Sequence, residues 1–155
     1  MIISCLFLPI KLVLWHDYNG EISPEGFADG QKRMDSARAF LWTIEDVRAL
    51  MSMFEPIPEV VEWWPTVETV FARKLHGDCQ SAAVLGKWAL EQIGIPASIF
   101  LLHRNGWNVN HAIAVAFDGT VIISNRNVLE IPSGNWRDAA LVLPGYEQFD
   151  RIEKL

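Results

Sequence analysis

The chain has 155 residues, 50% of them hydrophobic and 21% charged, the balance of one compact domain rather than a disordered or fibrous chain. Thirteen Lys and Arg against nineteen Asp and Glu give a net charge of −6, so no basic surplus exists to displace counterions from a phosphate backbone. Nucleic-acid binding is therefore disfavoured. Two cysteines, Cys5 and Cys79, could pair, but they are too few for a secreted disulfide scaffold, and a reducing compartment is the simpler inference.

Met1 to Trp15 is apolar, yet it has no basic leader region or small-residue cleavage site, and Pro9 and Lys11 interrupt it. It is too short to span a bilayer and reads as a buried edge strand or strand pair divided at Pro9, or equally as an arm that docks on a partner chain. No membrane partner and a cytoplasmic location are expected. His16 to Gly30, with Asn19-Gly20 and Asp29-Gly30 as turn signals, reads as an exposed connection. From Gln31 to Phe54 apolar residues recur every three or four positions, the pattern of an amphipathic helix, with a rival start at Ile44 after a Thr43–Asp46 capping box. Glu59 to Leu75 reads as a second helical stretch broken near Trp63-Trp64-Pro65 and restarted at Thr66. Asp78 then precedes the clearest helix, Cys79 to Ile93, which Gly94 closes.

After Gly94-Ile95-Pro96 the pattern turns strand-like: Ala97 to His103, Val109 to Phe117 and Thr120 to Asn125, with Asn105-Gly106 and Asp118-Gly119 as hairpin turns. Trp136 to Leu143 fits either a strand or a short helix. Helices followed by an antiparallel sheet make a single α+β domain over residues 1–155.

Cys79 falls on the first turn of the best helix, where unpaired N–H groups and the helix dipole favour a thiolate. A thiolate nucleophile needs an imidazole partner, and His111, on the strand His111-Ala-Ile-Ala-Val-Ala-Phe117, is the candidate. Asp78 is most simply the helix cap. A metal reading would gather His76, Cys79, His103 and His111, but their spacing matches no paired-ligand pattern. The tryptophans read as core and cleft wall.

Gly77-Asp78-Cys79 opening a helix, Gly94-Ile95-Pro96 after it, His111 on a following strand and Trp64-Pro65-Thr66 with Glu68 upstream together resemble the transglutaminase-like cysteine enzymes, closest to the bacterial transglutaminase-like cysteine proteinases. The resemblance implies a papain-like α+β fold with the nucleophile helix packed on an antiparallel sheet. It also implies a Cys-His-Asn or Cys-His-Asp triad that cleaves or exchanges amide bonds through a thioester. A protein, peptide or glutamine-like amide is the expected substrate, and no cofactor or metal is expected. Where the proteinases carry Glu-Asp after Gly-Asp-Cys this chain has Gln80-Ser81, and where they carry an Asp on the strand after the histidine it has Ser124-Asn125.

The expected triad is Cys79, His111 and Asn125, because an amide oxygen can accept from an imidazole N–H. Register bears on the third member. A two-residue turn at Asp118-Gly119 pairs Phe117 with Thr120 and sets Ser124 on the face of His111, whereas a three-residue loop brings Asn125 there instead. Ser124 and Asp118 therefore stay open as alternatives. The competing function is a catalytically inactive binding or assembly module of the same fold.

Overall fold

The computed structural model describes residues 22–58, 64–104, 107–144 and 148–155, with side chains 107–110 also left aside. The expected N-terminal strand, Cys5, the stretch 59–63 and the Asn105-Gly106 turn lie outside the described residues.

Helix α1 spans Pro24–Phe40 and α2 Ile44–Ser52. The expected exposed connection thus gives way to helix from Pro24, because the Ser23 hydroxyl caps the Gly26 N–H at 3.0 Å and proline suits the first helical turn. The single helix expected over 31–54 is divided. Asp46 accepts from the Trp42 and Thr43 N–H groups and the Thr43 hydroxyl while Thr43 caps Asp46, so the capping box wins over unbroken periodicity.

Strand β1 (Glu55–Pro56) pairs in parallel with β2 (His76–Gly77), and α3 (Val67–Ala72) lies between them in sequence, capped by Thr66. Ahead of β2, Lys74 and Leu75 both take left-handed φ values, 57° and 62°. Helix α4 follows over Cys79–Gln92 and ends at Gly94, whose φ of 83° is the left-handed cap that glycine allows.

A five-stranded antiparallel sheet, in the order β6-β5-β4-β3-β7, completes the molecule: β3 Ala97–Arg104, β4 Trp107–Ala116, β5 Val121–Ser124, β6 Asn127–Glu130 and β7 Arg151–Lys154. The ambiguous segment is helix α5, Trp136–Leu141.

Because side chains alternate along a strand, the sheet sorts the core into two sides. Ala97, Ala114, Ala116, Val121 and Ile123 face α4 and the other N-terminal helices, where Phe71 meets Trp88 edge-on at 5.3 Å. Phe100, Leu102, Ile113, Val115 and Ile122 face α5 and Phe149. Two glycines let layers close up: a Cβ on Gly30 would stand 2.6 Å from the Ala72 backbone, and one on Gly86 2.7 Å from Ile123 Cγ2. Among the described residues no helix is long and apolar enough to cross a membrane.

Candidate functional site

Asp78 caps α4 by accepting from the Gln80 and Ser81 N–H groups at 2.9 and 3.1 Å, which fixes Cys79 as the first helical residue. Cys79 is only 4% exposed and packs with Ala83 of the same helix and Ala112 of β4, with Ile99 and Leu101 of β3 against them. Its sulfur is engaged in a disulfide. Reduction is therefore a precondition of any chemistry that uses Cys79 as a nucleophile.

His111 pairs with Leu102 in the interior of the sheet and is 1% exposed. Its Nε2 lies 2.8 Å from Ser124 Oγ, and its ring stacks on Phe149 at 6.0 Å with 13° between planes. Burial alone pushes the imidazole pKa down to about 3, so the ring is neutral at physiological pH. The observed pairing explains the serine contact. Ala114 stands opposite Ile123 and Val115 opposite Ile122; continuing that register by one residue sets Ile113 opposite Ser124, which places Ser124 on the face of His111.

Asn125 belongs to the turn between β5 and β6, with φ of 50° where Ser124 and Asn127 pair. Asparagine tolerates that left-handed geometry better than most residues, so its presence there has a conformational reason of its own. The hydrogen bond at His111 Nε2 is shared with Ser124 Oγ. Asp118 is exposed, and its Oδ1 accepts from the Thr120 N–H at 3.0 Å and the Thr120 hydroxyl at 2.6 Å, which lowers its pKa and ties it to the hairpin loop.

Cys79 and His111 lie on different sides of the sheet. Ala112, which Cys79 touches, faces α4; its neighbour His111 shares the side of Ile113 and Phe149. The other described histidines are engaged separately: His76 Nδ1 sits 2.9 Å from the Lys74 carbonyl and 3.1 Å from that of Arg73, and His103 Nε2 sits 2.9 Å from Glu153. Among the described residues no three His, Cys, Asp or Glu side chains gather as a metal site. Phe149, part of the histidine's surroundings, carries no motif and went unread in the sequence; only the fold brings it there.

Against solved structures the chain is similar to LapG of Legionella pneumophila in its calcium-bound form, with a TM-score of 0.51 and 17% identity over 72% of this chain and 76% of that one. That likeness shows a fold shared with LapG. It agrees with the mixed α+β architecture and antiparallel sheet described above. No family model and no curated relative matches the chain.

Proposed function

We propose that the protein is a cysteine-dependent amide acyl-transfer enzyme, of peptidase or transglutaminase type, with Cys79 as its nucleophile and a protein or peptide as its substrate. The observation that carries this reading is the place of Cys79: it opens the buried helix of a fold shared with LapG, a transglutaminase-like cysteine protease. There the thiolate is favoured by the helix N-terminus, and the Cys79 N–H can face charge that develops on an attacked carbonyl oxygen.

The reaction adds the sulfur to the carbonyl carbon, expels the amine with one proton, and leaves a thioester that water or a second amine resolves. His111 is the proposed proton carrier. Ser124 holds its ring in the disulfide-bonded structure, and Asn125, one residue on, is the proposed amide partner of the triad. The scheme requires the disulfide opened and the imidazole brought to the sulfur.

That separation favours a second reading, a transglutaminase-fold module that binds or assembles without turnover. One experiment decides between them. After reduction, the rate of Cys79 alkylation by iodoacetamide is followed against pH in the wild type and in a folded His111→Ala variant. The enzyme reading expects the thiol to react well below the unperturbed pKa of about 8.5, and to lose that advantage without His111. Titration near that value in both proteins gives the module.

A further inference from the structure

Away from Cys79 and His111, a groove with a cavity volume of about 540 Å³ runs between α1, α2 and the end of α3. That is ample for a small ligand, since such pockets span roughly 300–1,000 Å³. Its apolar wall includes Leu41, Leu50 and Leu75, and Phe40 and Met53 stand 77% and 68% exposed on its rim.

The charges are sorted along it. Lys32 and Arg33 follow Gly30, and Lys74 follows Ala72, so the cations stand at the end where Gly30 and Ala72 bring α1 and α3 into contact. Arg33 is paired with Asp29 at 2.7 Å, but among the described residues Lys32 and Lys74 form no ion pair. The one carboxylate of the lining, Asp46, lies at the far end, where Trp42 and Thr43 already take its oxygens. A local cationic surplus in a chain of net charge −6 selects an anion.

We propose that this groove binds a free long-chain carboxylate, with the acyl chain along Leu41, Leu50 and Met53 and the head between Lys32 and Lys74. Apart from its charged groups the wall supplies only Ser36 as a polar side chain. The wall thus offers the backbone groups of an extended peptide almost no partner, whereas a hydrocarbon chain needs none. The site is independent of the proposed acyl-transfer chemistry.

The test is calorimetric titration of the intact protein with dodecanoate below its micellar range, with dodecyltrimethylammonium as the same chain bearing the opposite charge. One dodecanoate per chain is expected, with binding weakened roughly tenfold in the Lys32→Glu/Lys74→Glu double variant, the loss of two exposed charge contacts. Ser36→Trp, on the exposed wall, should block it while circular dichroism stays unchanged. Equal affinity for both amphiphiles, or no effect of the charge reversal, overturns the proposal. Binding to phosphatidylglycerol vesicles without binding of dodecanoate also overturns it, in favour of a membrane surface. A dimer in sedimentation velocity that Met53→Glu dissociates and dodecanoate leaves intact overturns it in favour of a second copy of the chain.

Discussion

His111 is a titratable ring held where charge is costly. Its pKa falls to about 3 in the fold, against an ordinary value of 6.5, and the cause is desolvation. Between those values the unfolded chain binds a proton that the folded chain refuses, so stability rises with pH across the interval and is fully recovered above 6.5. The urea midpoint should therefore fall as pH is lowered from 7 towards 4, and the fall should be shallower in His111→Gln. An unchanged slope in that variant would mean that other groups drive the acid sensitivity. Asn125 and Ser124 separate two jobs that sequence alone left joined. The turn asks for a residue that accepts φ of 50°, and the imidazole asks for a hydroxyl on its own face. Which neighbour supplied the hydrogen bond depended on loop register, a property of chain geometry that residue identity does not encode.

Helix α4 shows what was readable in an element and what was not. Its bounds, the Asp78 cap and the Gly94 stop were all legible, because capping chemistry is local. Gly86 was not. In an exposed helix, replacing glycine by alanine stabilises by roughly 0.5–1 kcal/mol. Here the added methyl would meet Ile123 Cγ2 at 2.7 Å, so we expect Gly86→Ala to destabilise by about 1–3 kcal/mol, the usual cost of overpacking, measured by urea unfolding. Ile123→Val should recover little of that loss, since it leaves Cγ2 in place. The start of α1 was missed for a related reason. Asp29-Gly30 read as a turn, but Gly30 serves a helix crossing, where the Ala72 backbone admits no side chain.

At the scale of the whole molecule, the α+β class, the antiparallel sheet and the helix carrying Cys79 were legible because periodicity and turn residues announce them. Strands β6 and β7 were not, being four residues each and defined by their partners across the sheet. Nor was the separation of Cys79 from His111. A motif records order along the chain, and which side of a sheet a residue takes is fixed only when the strands align.

The consecutive left-handed residues before β2 tie heat resistance to ligand capture. Backbone of this hand costs a side-chain-bearing residue roughly 1–2 kcal/mol, and Leu75, only 8% exposed, is anchored in the core. Lys74 is the position free to change. A laboratory selection for thermal tolerance should thus converge on Lys74→Gly, and the winners, surviving at higher temperature, would be poorer scavengers of soap-like molecules than their parent.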